Sequence, residues 1–158
     1  MVAMKSPHIT PTLIHIQADF PTIKFSEGND FMWSPKKKVV FVGKEPVDEE
    51  GLHYLLHEVG HALLDHQEYG LDIDLLRIET EAWDKAAEIA PRYKIKFNNT
   101  YAEEAVRTYK EWLHARSTCP ECSRLGLQKT KNTYNCFNCG CSWRVPRSTE
   151  CMIRRYVV

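Results

Sequence analysis

The chain has 158 residues, of which 43% are hydrophobic and 27% are charged, and its formal net charge is zero. This composition is typical of a globular protein and excludes a largely disordered chain. No apolar run approaches the roughly 18 residues of a membrane-spanning helix, and the first residues lack the apolar core of a signal peptide. We therefore expect a cytoplasmic monomer that does not bind membranes.

The charges are distributed unevenly along the chain. Residues 1–115 carry 13 Lys/Arg and 19 Asp/Glu, a balance of −6, whereas residues 116–158 carry 8 and 2, a balance of +6. A change of composition this sharp indicates two units with different roles. We therefore predict an acidic domain over residues 1–115 and a basic module over residues 116–158.

The acidic domain is predicted to be of the α+β class. A short helix over residues 10–18 precedes three short runs rich in β-branched and aromatic residues, which predict a small three-stranded sheet built largely of hairpins. Asp48 can N-cap a second helix that runs to about His66, and a third helix is predicted over residues 75–90, before Pro91. The three runs are "FPTIKF", "FMWS" and "KVVFV".

The second helix carries the motif H-E-x-x-H at His57, Glu58 and His61. Two histidines four residues apart project from one side of a helix, so both imidazoles can reach one zinc ion. Glu58 is rotated by about 100° from His57, which puts it beside the ion, where it can take a proton from an attacking water. The spacing therefore predicts two metal ligands and a general base.

A catalytic zinc site needs a third protein ligand, and the third helix offers two carboxylates. Glu81 lies 20 residues after His61, and Glu79 lies two residues earlier. The two side chains face almost opposite ways on a helix, so only one of them can reach the ion. His66 is a weaker candidate, because it lies off the ligand side of the second helix.

The segments "HEVGHALLDH" and "ETEAWDKAAEI" resemble the gluzincin metallopeptidases, and within them the ImmA/IrrE-type proteins and the minimal gluzincins. The resemblance covers roughly residues 20–91. It implies a zincin-like domain in which His57, His61 and Glu81 bind a catalytic zinc ion and Glu58 acts as general base and acid. At the position where many gluzincins carry an Asp that supports a zinc histidine, this chain has Lys85.

A second metal site is predicted from the cysteines of the basic module. Two C-x2-C pairs supply four thiolates, enough for a closed tetrahedral zinc site in a zinc ribbon. Cys141 is an alternative to Cys139, which we prefer because Gly140 follows it. Cys151 is not expected to bind metal. The predicted ligands are Cys119, Cys122, Cys136 and Cys139.

The basic charge of the ribbon is compatible with binding to nucleic acid, since aromatic side chains lie among the basic ones. The aromatic residues are Tyr134, Phe137 and Trp143. A structural ribbon or a protein-docking surface is the alternative. The combination of H-E-x-x-H with a C-terminal ribbon is also similar in architecture to SprT-like proteases.

The function expected from these features is zinc-dependent hydrolysis of peptide bonds in a cytoplasmic protein, with the ribbon as a targeting module. An extended peptide is expected along an edge strand within residues 31–42. The alternative function is a regulatory module that binds nucleic acid or protein and retains a vestigial protease fold. The presence of Glu58 favours the enzyme, because a metal site that serves only as a scaffold does not need this carboxylate.

Overall fold

The structure is a computed structural model of the chain, and it describes residues 10–44, 47–147 and 154–158. These residues form an α+β structure with four α-helices, one short 3-10 helix, a three-stranded sheet and a separate four-stranded sheet. Cys151 lies outside the described residues. The helices are α1 (Pro11–Asp19), α2 (Glu49–Leu63), α3 (Asp72–Ile89) and α4 (Asn99–Ser117), and the strands are β1 (Lys24–Gly28), β2 (Met32–Ser34), β3 (Val39–Gly43), β4 (Leu127–Thr130), β5 (Thr133–Asn135), β6 (Ser142–Arg144) and β7 (Tyr156–Val157).

The described residues divide into two compact units. The first contains the described part of Met1–Glu68 together with Ile78–Ala102, and the second contains Tyr69–Arg77 together with the described part of Glu103–Val158. The predicted boundary between residues 115 and 116 falls inside α4. Both α3 and α4 therefore contribute residues to both units.

The sheet of the first unit has the strand order β1-β3-β2. β2 and β3 pair antiparallel, as a hairpin does, but β1 and β3 pair parallel. The prediction of a sheet built largely of hairpins is therefore wrong for β1. This strand also begins later than the predicted run "FPTIKF" and extends through "SEG" to Gly28. In this order β2 is an edge strand.

Helix α2 begins as predicted, because the Asp48 side chain accepts a hydrogen bond from the Gly51 backbone N–H at 2.8 Å. Acidic residues in its first turn lie where the partial positive charge of the helix stabilises them. The helix ends at Leu63, three residues before the predicted end. Its buried face includes Leu55, Leu56 and Val59.

Helices α2 and α3 lie in close contact at Gly60. A Cβ atom built at this position would lie 2.5 Å from the backbone oxygen of Ala82, which is closer than real Cβ atoms come to another atom. The missing side chain of Gly60 therefore lets the backbone of α3 lie directly against α2, beside His61.

The second unit contains the four-stranded antiparallel sheet, in the order β4-β5-β6-β7. Its core is formed by Cys119, Tyr134, Cys136, Trp143 and Val145. The rings of Tyr134 and Trp143 stack with their centroids 5.6 Å apart. These two aromatic side chains, expected on the binding surface of the ribbon, are buried in its core instead.

A buried ion pair lies next to this core. The Arg116 side chain, 2% exposed, donates from Nε to Asp72 Oδ2 at 2.6 Å, and the Tyr134 hydroxyl donates to the same oxygen at 2.6 Å. Arg116 also donates to the Pro146 carbonyl, and its own carbonyl accepts from Trp143 Nε1 at 2.9 Å. Asp72, at the start of α3, is thus part of the same unit as the ribbon.

Candidate metal centres

Among the described residues, two groups of side chains bring their ligand atoms within 4.8 Å of one another and could each hold a metal ion. The first contains His57, His61 and Glu79, and the second contains Cys119, Cys122, Cys136 and Cys139. Two imidazoles with a carboxylate, and four thiolates, are both ligand sets that zinc prefers.

In the first cluster, three ligand atoms converge on one point. His57 Nε2 lies 3.1 Å from Glu79 Oε2, and His61 Nε2 lies 3.0 Å from His57 Nε2. A tetrahedral zinc ion with Zn–N bonds of roughly 2.0–2.1 Å holds two nitrogens roughly 3.3 Å apart. The spacing of the two nitrogens thus fits a shared ion. Burial opposes ionisation of Glu79, but hydrogen bonds from the two histidines lower its pKa to about 2.

The carboxylate in this cluster comes from Glu79, where the resemblance to gluzincins implied Glu81. Both residues lie on α3, but only Glu79 shares a face with the buried Ala82, Trp83 and Ala86. Glu81 points elsewhere, and its side chain is 42% exposed. Of the two carboxylates, the structure therefore groups Glu79, and not Glu81, with the two histidines.

A signal for this choice was present in the sequence. Ala82, Trp83 and Ala86 follow Glu79 by three, four and seven residues, which is the spacing of one helix face. Trp83 packs against His57 of the cluster, with the two ring centroids 4.3 Å apart. Counted from Glu79, Trp83 also occupies the position at which many gluzincins carry an Asp.

Glu58 lies beside the cluster, as predicted from the motif. Its Oε2 accepts a hydrogen bond of 2.6 Å from the backbone N–H of Trp33, on the edge strand β2. Burial raises the pKa of Glu58 above its ordinary value, against the opposing effect of His57 and His61. The sequence pattern does not predict the contact with Trp33, since it joins residues 25 positions apart.

The remaining buried histidine of α2 differs from the two in the cluster. His53 Nδ1 lies 2.7 Å from the Glu49 carbonyl, and His53 Nε2 lies 3.0 Å from the Asn98 backbone nitrogen. Both of its nitrogens therefore bind the backbone, and it has a structural role. By contrast, His57 Nδ1 is buried without a hydrogen-bond partner among the described residues.

The second cluster is built from two similar turns. The Ser123 N–H donates to the Cys119 carbonyl at 3.0 Å, and the Gly140 N–H donates to the Cys136 carbonyl at 2.9 Å. Ser123 and Gly140 both have positive φ angles, 61° and 76°. The thiols are brought together in pairs, with Cys119 Sγ 3.6 Å from Cys139 Sγ and Cys122 Sγ 3.5 Å from Cys136 Sγ.

Cys139, and not the alternative Cys141, completes this cluster. Cys141 instead directs its thiol towards the Ser142 carbonyl, 3.8 Å away. The backbone N–H of Arg124 lowers the pKa of Cys122 to about 6. The pKa of Cys139 is raised to about 12. The backbone N–H of Cys141 opposes this shift, but desolvation and the neighbouring thiols together outweigh it. A central divalent cation would allow all four thiols to ionise together.

Comparison of the chain with protein-family models, with curated proteins and with solved structures found no match. No helix within the described residues combines the length and apolar character needed to cross a membrane.

Proposed function

We propose that the protein is a zinc-dependent endopeptidase whose centre is formed by His57, His61 and Glu79, with Glu58 as its general base. The observation that carries the proposal is the convergence of these three ligand atoms beside a buried carboxylate. Three protein ligands leave a fourth position for water or substrate, as in catalytic zinc sites. The four-cysteine cluster, by contrast, offers the closed ligand set of a structural zinc site.

In the proposed mechanism, a zinc ion bound there would polarise the scissile carbonyl and lower the pKa of the attacking water. Glu58 accepts the proton of this water and returns it to the leaving amine. The backbone N–H of Trp33 holds Oε2 of Glu58, which favours the ionised carboxylate that a base requires. It also fixes the direction in which the other carboxylate oxygen points.

The proposed substrate is a peptide in extended conformation that lies along β2. This strand is at an edge of its sheet, and the N–H of Trp33 points from it towards Glu58. A peptide added to this edge would lie beside the proposed base, and its backbone hydrogen bonds would be made with groups other than the Trp33 N–H, which Glu58 holds.

The test of the proposed function is the variant Glu58→Gln. It keeps the shape of the side chain but cannot accept the proton, so kcat/KM for an unstructured protein such as casein should fall by about 10²- to 10⁴-fold. Zinc content should stay at the wild-type value. The matched control is Glu50→Gln, which changes an exposed carboxylate in the first turn of the same helix and should leave cleavage unchanged.

Two outcomes would contradict this proposal. Equal cleavage by wild type and Glu58→Gln would mean that the activity does not belong to this site. Zinc binding without any turnover in wild type would favour the alternative, a regulatory module with a vestigial protease fold.

We propose, in addition, that the ribbon binds nucleic acid through exposed basic and aromatic side chains. Phe137 is 69% exposed, and Lys129 Nζ lies 5.1 Å from the centre of its ring. Arg144 and Arg147 are also exposed. An exposed ring can stack on an unpaired base while basic groups neutralise phosphates. With Tyr134 and Trp143 buried, Phe137 and the half-exposed Tyr156 of β7 are the aromatic groups of the described ribbon that remain for stacking.

Replacing both Arg144 and Arg147 by alanine should weaken binding to a labelled single-stranded oligonucleotide, measured by fluorescence anisotropy. The dependence of log affinity on log salt should become shallower by roughly 0.7 for each phosphate that the variant no longer neutralises. Phe137→Ala should weaken binding without changing this slope. The control Lys110→Ala removes an exposed charge of α4 and should have no effect. Negligible wild-type affinity at low salt would instead indicate a protein-docking or purely structural ribbon.

A further inference from the structure

We infer that His66 and Glu81 are positioning residues for the proposed zinc centre, because together they hold His61 in the tautomer that presents Nε2 to the ion. This inference rests on the proposed function, since it concerns the same centre. It gives a role to Glu81, which is not part of the ligand cluster, and to His66, which follows the end of α2.

The geometry is a continuous chain of hydrogen-bond contacts. His61 Nδ1 lies 2.8 Å from His66 Nδ1, and His66 Nε2 lies 3.1 Å from Glu81 Oε2. The other nitrogen of His61, Nε2, belongs to the ligand cluster. Each ring nitrogen of both histidines is therefore engaged.

The chemistry of imidazole allows one assignment of protons along this chain. If His61 Nε2 binds an ion, its Nδ1 must carry the proton and donate it to His66 Nδ1. His66 Nδ1 is then an acceptor, so the proton of the neutral His66 ring is on Nε2 and is donated to Glu81. The ionised carboxylate of Glu81 can only accept hydrogen bonds, so it is a suitable acceptor for the last proton of this chain.

The backbone around His66 holds its ring in place. The His66 N–H donates to the His61 carbonyl at 3.0 Å, and the His66 carbonyl accepts from Trp33 Nε1 at 2.9 Å. The turn before it is made by Asp65, which has a positive φ of 49°. His66 itself is 8% exposed, so solvent competes little for its nitrogens.

The two histidines of the centre are therefore supported differently. The ring of His57 packs on Trp83, and its Nδ1 has no hydrogen-bond partner among the described residues. His61 has a hydrogen-bonded partner that in turn contacts a carboxylate. Partners of this kind orient a metal-binding imidazole and raise its basicity, and their loss costs roughly 10- to 100-fold in metal affinity.

The first test compares His66→Phe with His66→Asn in a zinc competition assay that uses a fluorescent chelator. Phenylalanine keeps the ring but offers no acceptor to His61, so the zinc affinity of this centre should fall by roughly 10- to 100-fold. Asparagine places its carbonyl oxygen near the position of Nδ1 and should restore most of the affinity. His15→Phe, an exposed site on α1, is the matched control and should change nothing.

The second test reads the tautomers directly, from long-range ¹H–¹⁵N correlation spectra of the zinc-loaded protein. The expected result is a proton on Nδ1 of His61 and a proton on Nε2 of His66. A proton on Nδ1 of His66 would overturn the inference, and so would an unchanged zinc affinity in His66→Phe. Failure of wild type to bind zinc at His57 and His61 would instead overturn the proposed function, and the inference with it.

Discussion

Replacing Glu79 by alanine is expected to abolish stable zinc binding at the centre formed with His57 and His61. The variant removes the negatively charged ligand and leaves two neutral imidazoles. We expect the affinity to fall by more than the roughly 10- to 100-fold that the loss of a supporting hydrogen bond costs. Turnover should disappear together with the ion.

The measurement is metal analysis after gentle purification, with two zinc ions per chain expected for wild type and one for Glu79→Ala. Glu81→Ala should retain two ions with a weakened affinity, because Glu81 acts through His66. Glu88→Ala, at an exposed carboxylate of the same helix, should match wild type. Loss of the ion in Glu81→Ala with retention in Glu79→Ala would return the ligand role to Glu81.

The second large effect concerns the buried ion pair between Asp72 and Arg116. Asp72→Ala should destabilise the second unit by about 3–5 kcal/mol, because it leaves a guanidinium buried without its counter-charge. It also removes the acceptor of the Tyr134 hydroxyl, which donates to Asp72 at 2.6 Å. The effect should extend to the sheet around Trp143, whose Nε1 binds the Arg116 carbonyl.

Native-state hydrogen exchange of the β5 and β6 amides would measure this loss in the zinc-loaded protein. Asp72→Asn keeps an acceptor of similar shape and should cost less than the alanine variant. Asp74→Ala, which removes a partly exposed carboxylate two residues away, is the control. Unchanged protection in Asp72→Ala would mean that the four-cysteine site alone determines the stability of this unit.

Features that depend on local sequence rules were predicted well. The N-cap at Asp48 was expected from residue type, and so was the grouping of the four cysteines from their spacing. Both follow from contacts between residues close in the chain or from the chemistry of a single residue type. The contact between Asp72 and Arg116 was not predicted, because 44 residues separate the two in the chain.

Features that depend on how elements pack were predicted less well. The parallel pairing of β1 with β3 places β2 at the edge, and no short-range pattern distinguishes this order from a meander of hairpins. The prediction for the basic module rests on composition alone, which cannot tell an exposed Phe137 from a buried Trp143. Burial of that kind is decided by the sheet as a whole.

The choice between Glu79 and Glu81 depends partly on local sequence rules and partly on how the helices pack. Of the two, only Glu79 lies with His57 and His61, whereas the predicted phase of α3, which favours Glu81, rests on a family resemblance. The apolar residues of α3 itself, Ala82, Trp83 and Ala86, indicate the buried face and lead to Glu79. A contact such as that between His61 and His66 depends on a turn with a left-handed residue, which the sequence pattern did not signal.

The close approach at Gly60 has a consequence for how this kind of centre can be recognised. The two middle positions of H-E-x-x-H are usually treated as free, but here the second of them excludes every side chain, even a methyl group. An alanine would push the glutamate-bearing helix outwards and lengthen the distance across which an ion must be shared. The distance between the two histidines of α2 and the carboxylate of α3 thus depends partly on the absence of a Cβ atom at Gly60. Chains that assemble their centre by the same helix crossing should therefore read H-E-x-G-H, with the carboxylate 18 residues after the second histidine, as Glu79 is here.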